Sequence, residues 1–385
     1  MTAFDPLQTL RLERTLAGCG VLGSGDDDVV QAPATDEQVV ILGARSKYRF
    51  KIGVFSMRAF LALGLLTANV VPVLAAEPHY KVVAQLPAGD GGWDLLSVDP
   101  ADQRLYVAHG DGVTAIDLRT GKAFDRIVTG KRVHAALAIP GTHDVIATNG
   151  ETNNASLFDG RTGQIRATIP TGTKPDAVAY DPATRTVWIM NAGSGDITVI
   201  DAVSARVVGT VPVGGSLELG IADGHGRLYV NVEDKNQVAV IDTNKRQVKS
   251  RFALRGCDGP TGIAYDPSSR EIVSACANGI AIISAPDGRQ IAQLPIGKGA
   301  DGAVFDAKRH IALVPAGRDG NLTVIRLQPA PKVVGQIATA VSARTIALDP
   351  STGRAYLPSA KLAPAVGNER PKPTPGSFRV LVVAP

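Results

Sequence analysis

Residues 175–214 read PDAVAYDPATRTVWIMNAGSGDITVIDAVSARVVGTVPVG, and the later segments of the chain are edited copies of this stretch. It contains four short runs rich in Val, Ile, Ala and aromatic residues: AVAY, TVWIM, ITVID and RVVGTVPV. Such runs are typical of strands, and the intervening DPATR, NAGSGD and AVSA have the composition of turns. The stretch therefore predicts a four-stranded antiparallel meander. Because both faces of this sheet are apolar, neighbouring copies must cover it.

The copies can be counted from the turn after each first strand. These turns begin at Asp99, Ile139, Asp181, Asp223, Asp266, Asp306 and Asp349, with spacings of 40, 42, 42, 43, 40 and 43 residues. A period of this length, made of strands without helices, is typical of a β-propeller. The sequence therefore predicts an all-β fold, a seven-bladed β-propeller of four-stranded antiparallel blades.

The two ends of the repeat region predict how the ring closes. Residues 377–385, SFRVLVVAP, match the third strand of a seventh copy, and no fourth strand follows. Residues 79–89, HYKVVAQLPAG, match the fourth-strand text ARVVGTVPVG. We therefore expect the N-terminal strand to complete the last blade, which gives 28 strands and no unpaired edge at the seam.

Three short segments carry a resemblance to a known family. Residues 106–109 (YVAH), 188–191 (WIMN) and 229–232 (YVNV) look like the motif of the YVTN-repeat propellers. Over residues 78–385 the chain resembles the YncE-like bacterial members, including the segments CDGPTGIAYDP, SACANG and SFRVLVV. The resemblance implies a periplasmic or surface binding propeller. It supplies no catalytic residues to carry over.

The first 76 residues lie outside the repeats. Residues 57–76, MRAFLALGLLTANVVPVLAA, have the basic start, apolar stretch and small final residues of a signal peptide, with cleavage expected after Ala75 or Ala76. An uncleaved anchor is the alternative, since this stretch is near the lower length limit for a membrane span and basic residues precede it. We therefore expect a periplasmic or secreted propeller over residues 77–385, without a transmembrane domain in the mature chain.

Residues 1–56 match no blade and precede a methionine that opens the signal peptide, so we interpret them as a mis-called or disordered extension. They include Gly18, Gly20 and Gly23 in a GxGxxG pattern. The strand and βαβ context that a dinucleotide site requires is missing, so we interpret this pattern as a chance match.

Charge and cysteine content limit the possible partners. Residues 1–76 contain seven basic and seven acidic residues, so the mature chain keeps the net charge of +4. This balance is too mild to indicate nucleic-acid binding by itself. Cys257 and Cys276 are the two cysteines after Ala76, and antiparallel pairing of the fifth blade's strands brings them to one edge. In an oxidising compartment they predict a disulfide, with two buried free thiols as the alternative.

One repeat position stands out chemically. The residue five positions before the start of each of these turns is polar in all seven copies, although the strands it introduces are almost wholly apolar. These residues are Asp94, His134, Asp176, Glu218, Thr261, Asp301 and Arg344. The first strand of a propeller blade is innermost, so we expect a ring at the top mouth of the central channel. Four carboxylates this close would repel one another unless a cation, protons, Arg344 or water offset them. The ring is either a ligand site or simply the wet mouth of a channel.

Other residues are expected near the same face. A secondary group of candidates consists of Trp93, His109, Lys131, Arg132 and Lys174. Arg255 and Lys298 add to the basic outer loops, and the Pro-rich insertion at residues 360–376 is expected to form a loop across the mouth. His143, His225 and His310 fall at turns on the opposite, bottom face.

These features favour a binding or interaction module over an enzyme. Residues 77–385 contain no GxSxG, HExxH or P-loop motif. The partner is expected to be a small ligand or a protein at the top face, with a divalent cation as a possible cofactor. One alternative is a lactonase-like hydrolase that uses a metal ion with Asp94, His134, Asp176, Glu218 and Asp301. Another is single-stranded nucleic-acid binding, with Trp93 stacking on bases and basic outer loops.

Overall fold

The structure is a computed structural model that describes residues 79–364 and 371–385. The expectations for residues 1–56 and 57–76 lie outside this range. The described part of the chain has no helix with the length and apolar composition needed to cross a bilayer.

The described residues form seven four-stranded antiparallel sheets, which are the blades of the propeller. Blade 1 comprises β2 (Trp93–Asp99), β3 (Arg104–His109), β4 (Gly112–Asp117) and β5 (Ala123–Thr129). Blade 2 comprises β6 (Val133–Ala138), β7 (Asp144–Asn149), β8 (Asn154–Asp159) and β9 (Ile165–Pro170). Blade 3 comprises β10 (Pro175–Asp181), β11 (Thr186–Asn191), β12 (Asp196–Asp201) and β13 (Arg206–Pro212). Blade 4 comprises β14 (Leu217–Ala222), β15 (Arg227–Val232), β16 (Gln237–Asp242) and β17 (Gln247–Ala253), with the 3-10 helix Glu233–Lys235 after β15.

The remaining blades follow the same plan. Blade 5 comprises β18 (Pro260–Tyr265), β19 (Ile272–Cys276), β20 (Ile280–Ser284) and β21 (Gln290–Pro295). Blade 6 comprises β22 (Val304–Asp306), β23 (Ile311–Ala316), β24 (Asn321–Arg326) and β25 (Lys332–Ala338). Blade 7 comprises β26 (Ala347–Leu348), β27 (Ala355–Ser359), β28 (Arg379–Ala384) and the N-terminal β1 (Lys81–Pro87). The predicted fold class is confirmed.

The core lies between adjacent blades. The second and third strands are buried along almost their whole length, because neighbouring blades cover both of their faces. Trp188 and Met190 of blade 3, for example, belong to one apolar cluster with Leu228 and Val230 of blade 4. The fourth strands are outermost and keep many exposed residues. Burial of this kind stabilises each blade only in the presence of its neighbours.

Ring closure also follows the sequence-based prediction. β1 pairs antiparallel with β28, with Lys81 opposite Ala384 and Leu86 opposite Val380. Just before β1, the buried Tyr80 donates a hydrogen bond from its hydroxyl to Asp306 Oδ2 at 3.0 Å, so it also contacts blade 6. The N-terminal strand therefore joins the last blade to the rest of the ring.

Cys257 and Cys276 are joined by a disulfide with a Cα–Cα distance of 5.5 Å. The bridge connects the loop before β18 to the end of β19, both in blade 5. Both cysteines belong to a buried apolar cluster with Tyr229 and Leu254. The bridge therefore fixes the loop that leads into the innermost strand of this blade.

We expect replacement of both cysteines by alanine to lower the free energy of unfolding by at most about 3 kcal/mol, since the bridge closes a short loop in the unfolded chain. Chemical denaturation of the wild type and the double variant measures this difference. When the denatured, unreduced protein is treated with a thiol-labelling reagent, mass spectrometry should find Cys257 and Cys276 unmodified. Labelling of both cysteines would contradict the bridge.

Candidate functional site

The backbone of the innermost strands is irregular at the ring position. In blades 1 to 4 the pairing between the first two strands shifts by one residue, and in blade 5 a similar shift occurs. In β2, Trp93 pairs with His109 and regular pairing resumes at Leu96, which leaves Asp94 inside the bulge. Glu218 of β14 lies in the equivalent place, directly after the pair Leu217–Val232. Bulges of this type redirect side chains and are common beside functional sites.

Neighbouring blades satisfy the backbone groups that the bulges release from the ladder. Thr345 Oγ1 donates to the carbonyl oxygen of Asp94 at 2.9 Å. In the same way Thr148 Oγ1 donates to the carbonyl of Asp176 at 2.7 Å. Each of these hydrogen bonds crosses from one blade to the next. The ring is therefore held in place by contacts between blades, which a single blade could not provide.

All seven ring residues line one cavity of about 820 Å³. The ring side chains are half-buried, except that Thr261 is buried and donates to the carbonyl of Ala300 at 2.9 Å. The structure thus brings together residues from all seven blades that are separated by up to 250 positions in sequence. We call this cavity the top cavity.

Two groups of ion pairs divide the ring. His134 Nδ1 lies 2.8 Å from Asp94 Oδ2 and 3.9 Å from Asp176 Oδ2. Arg344 donates from Nε to Asp301 Oδ2 at 2.7 Å and from Nη2 to Asp94 Oδ1 at 3.4 Å. Asp94 therefore links the two groups, one oxygen facing His134 and the other facing Arg344.

Glu218 has no cationic partner among these contacts. Burial raises the pKa of its carboxyl to about 10, and the charges of Asp176 and Asp301 add to this shift. Burial also raises the pKa of Asp176 and of Asp301, although His134 opposes the shift in the first and Arg344 opposes it in the second. The top cavity therefore disfavours a full set of ionised carboxylates unless a further cation enters it.

The environment of His134 sets its proton position. Burial lowers the pKa of the imidazole, but the hydrogen bond to Asp94 and the charges of Asp176 and Asp94 outweigh this effect and raise it. Arg132 Nε donates to His134 Nε2 at 3.2 Å, so Nε2 is the acceptor in the neutral ring. The proton of the neutral ring is therefore on Nδ1, facing Asp94.

Asp94, His134 and Asp176 also satisfy the geometric condition for a metal site. One ligand atom from each of them lies within 4.8 Å of the others. An imidazole nitrogen with two carboxylate oxygens is a set that binds divalent transition metals. Among the residues that the structure describes, this is the one group of three or more potential ligands so close together.

Glu233 also lines the top cavity, and the sequence analysis missed it. It opens the 3-10 helix after β15. The residue after the second strand is Gly or Ala in the other six blades. Small residues keep this position clear, since a Cβ on Gly150 would lie 2.8 Å from the His134 ring and one on Gly317 would lie 2.7 Å from Arg344. A glutamate in this otherwise small-residue series was the signal that could have identified it.

The Pro-rich insertion contributes apolar residues to the same cavity. Leu362, Pro371 and Pro373 line it, and Leu362 forms an antiparallel bridge with Pro373. Ser342 Oγ donates to the carbonyl of Ala360 at 2.8 Å, and this hydrogen bond fastens the start of the insertion to the ring. The top cavity is thus lined both by the polar ring residues and by apolar residues of the insertion.

The secondary candidates are placed differently from one another. Trp93 lines the top cavity, but it is only 7% exposed and its ring packs 5.5 Å from Phe378. His109 is fully buried against the edge of Phe378 and is not among the residues that line the cavity. Burial lowers the pKa of His109 to about 4, so it is neutral at neutral pH.

The basic candidates are exposed and lie outside the lining of the top cavity. These residues are Lys131, Arg132, Lys174, Arg255 and Lys298. Of these, Arg132 contacts the ring through His134. The others have the exposure of ordinary surface residues, and the acidic ring is therefore the concentrated charge at this face.

The bottom face contains a second histidine with similar neighbours. His143 Nδ1 lies 2.9 Å from Asp102 Oδ2, and Arg161 Nη2 lies 2.7 Å from His143 Nε2. Here Arg161 also binds both oxygens of Asp102, each at 3.0 Å. No second carboxylate joins this trio within the described part of the chain. It forms a complete surface ion-pair group.

The sequence matches no protein-family profile and no curated protein. The structure is similar to a chain of hydrazine synthase from Kuenenia stuttgartiensis, with 17% identity, a TM-score of 0.60, and coverage of 70% of this chain and 94% of that one. It is also similar to the WD40 repeats of RRP9, with 11% identity, a TM-score of 0.67, and coverage of 80% and 100%. A chain in the mitotic checkpoint complex is also similar, with 13% identity, a TM-score of 0.63, and coverage of 84% of this chain and 98% of that one. At such low identities these similarities establish the fold alone.

Proposed function

We propose that this protein is a secreted, YncE-like binding propeller whose top cavity holds a cation or the cationic group of a ligand or partner protein. The signal-peptide pattern at residues 57–76 and the YVTN-like segments support the first part of the proposal. Propeller similarity to WD40 repeats and to a chain of the mitotic checkpoint complex agrees with an interaction role.

The excess of carboxyl groups in the top cavity carries the second part. Five acidic residues line it, namely Asp94, Asp176, Glu218, Glu233 and Asp301. Arg344 is already bound to Asp301 and Asp94, so its charge is shared between two of them. Glu218 has no cationic partner among the contacts described above, and a further positive group in the cavity would favour release of the proton that its carboxyl holds.

The apolar side of the cavity indicates what else the ligand presents. Leu95, Leu219 and Leu362 line the cavity beside the acidic ring. Ligand sites usually combine an apolar lining with a few placed polar groups. An organic cation with an apolar portion, or a basic side chain of a partner protein, therefore suits the cavity as well as a bare ion does.

The Asp94, His134 and Asp176 group also favours a second function, metal-assisted hydrolysis of a lactone. Turnover of a lactone panel would distinguish this enzyme from a binding module. Single-stranded nucleic-acid binding has weaker support, because the Trp93 ring is packed against Phe378 instead of facing solvent. Strong salt dependence of binding would favour it.

We expect a cation or cationic ligand to raise the melting temperature of the wild type, and the double variant D176N/E218Q to lose this response while keeping its fold. A ligand at a hundred times its Kd stabilises the folded state by about 2.7 kcal/mol. Thermal melting with divalent ions, polyamines, sugars and lactones measures the shift. A wild type indifferent to the whole panel, with a variant that melts several degrees lower, would indicate a merely structural ring.

A further inference from the structure

We propose that Asp94, His134 and Asp176 form a binding site for a divalent transition-metal ion, with open coordination positions that face the top cavity. This inference rests on the proposed cation-binding function and names the cation. It concerns the ion itself, and it holds whether or not any substrate is turned over.

The distances suit one ion. Two ligand atoms bound to the same ion at about 2.1 Å are about 3.0 to 3.5 Å apart. His134 Nδ1 lies 2.8 Å from Asp94 Oδ2 and 3.9 Å from Asp176 Oδ2, values on either side of this range. The three ligand atoms all lie within 4.8 Å of one another, so side-chain shifts of roughly 1 Å would bring them onto one ion.

The surrounding groups favour binding at this point. Arg344 Nη2 contacts Asp94 Oδ1, which leaves Oδ2 of the same carboxylate for the ion and fixes its orientation. Such supporting hydrogen bonds to ligand side chains are typical of metal sites. Glu218 and Asp301 line the same cavity and place two more carboxyl groups near the ion.

One rearrangement accompanies binding. Metal on Nδ1 requires the proton there to leave, and the neutral ring then carries its proton on Nε2. Arg132, which donates to Nε2, is exposed and can turn outward into solvent. The backbone need not move, because His134 and Asp176 are held by the first strands of their own blades.

The ligand types select the metal. Imidazole favours Zn²⁺, Ni²⁺ and similar ions, whereas Mg²⁺ and Ca²⁺ prefer all-oxygen sites. Three protein ligands leave at least one coordination position, which distinguishes an open site from a closed structural one. That position faces the top cavity, so a second ligand could bind the metal there.

The bottom face provides an internal contrast. His143 has the same two neighbours as His134, an aspartate at Nδ1 and an arginine at Nε2. However, Arg161 occupies both oxygens of Asp102, and His143 is more exposed, with 45% side-chain exposure against 18% for His134. The bottom trio therefore lacks both a free carboxylate oxygen and a second acidic ligand.

Zinc binding to the full chain, measured by isothermal titration calorimetry at neutral pH with Mg²⁺ and Ca²⁺ as comparison ions, tests the proposal. Loss of a hydrogen-bond partner of a metal ligand costs up to about 100-fold in affinity. Because His134 is itself a proposed ligand, we expect H134Q to weaken Zn²⁺ binding by at least about 100-fold. We expect H143Q, the matched control, to leave it unchanged. D176N should also weaken binding, and it serves as the second variant if H134Q does not fold, as checked by thermal melting.

Four outcomes would overturn the proposal. Equal Zn²⁺ affinity in the wild type and in both ring variants would place the metal elsewhere. Tighter binding of Mg²⁺ or Ca²⁺ than of Zn²⁺ would contradict the role of His134. Binding of spermidine or methylguanidinium without any response to Zn²⁺ would refute the metal site while the proposed binding function stands; no response to any of these cations would remove both.

Discussion

Deleting residues 79–87, which include β1, is expected to lower the melting temperature of the entire propeller by roughly 10 °C, from a loss of about 3 to 5 kcal/mol at 2 to 4 °C per kcal/mol. The deletion removes the buried Tyr80 with its hydrogen bond to Asp306, and it removes the strand paired with β28. Blade 7 would then expose a strand edge, and apolar residues that β1 covers, such as Leu381, would meet water. Thermal denaturation followed by circular dichroism measures the change.

Comparison with a second truncation distinguishes loss of ring closure from the loss of any N-terminal segment. A comparable removal of residues 1–56, which lie outside the described range, should leave the melting temperature unchanged. Because each blade depends on its neighbours, the transition of the β1 deletion should remain single and shift as a whole. If the two truncations melt at the same temperature, β1 does not close the ring.

In metal-free buffer, the stability of the wild type is expected to fall from pH 6 to pH 9, and E218Q is expected to flatten this fall. The Glu218 carboxyl has a pKa of about 10 in the folded protein, whereas its ordinary value in an unfolded chain is 4.5. The folded state therefore binds a proton that the unfolded state has released. Stability decreases as pH rises between the two values, by up to about 4 kcal/mol over these three pH units. At pH 9 the variant should be the more stable protein.

Other groups contribute with the same sign and define the control. The pKa of His134 is raised in the folded protein, so its contribution to stability is lost as pH rises through that folded pKa. The pKa values of Asp176 and Asp301 are also raised, so the protein loses stability as pH rises above the pKa values that these two groups have in the unfolded chain. The difference between wild type and E218Q isolates Glu218. E151Q removes one exposed carboxylate outside the cavity lining and should keep the wild-type slope. Parallel curves for wild type and E218Q, measured by urea denaturation, would mean that Glu218 is ionised in the folded protein.

The blade count, the strand order and the closing strand were predictable from the sequence because they depend on local patterns. A strand of five or six apolar residues and a turn such as Asp181-Pro182 are recognisable without knowing the rest of the fold. The closeness of the seven ring residues was predictable from the same periodicity, because equivalent positions of the repeats lie at the same distance from the central axis of a closed propeller.

Details that depend on contacts between blades were not predictable. Glu233 lies in a short 3-10 helix that replaces the ordinary turn, and its direction depends on that local backbone. His109 was grouped with the top-face candidates, but its ring is buried beside Phe378, a residue 269 positions later in the chain. The pairing of Asp94 with both His134 and Arg344 likewise joins three different blades. Periodicity gives the position of a residue within its blade but not the rotamer of its side chain.

The bulges in the innermost strands separate what the scaffold needs from what the site displays. Asp94, Glu218 and their equivalents in blades 2, 3 and 5 lie between ladder pairs, so exchanging one of them alters no regular strand pair and removes no buried apolar side chain. The ring already contains acidic, basic, hydroxyl and imidazole groups on nearly identical blades. Mutation at these five positions can therefore change the groups that face the top cavity one at a time, and a library randomised there alone should retain folded members.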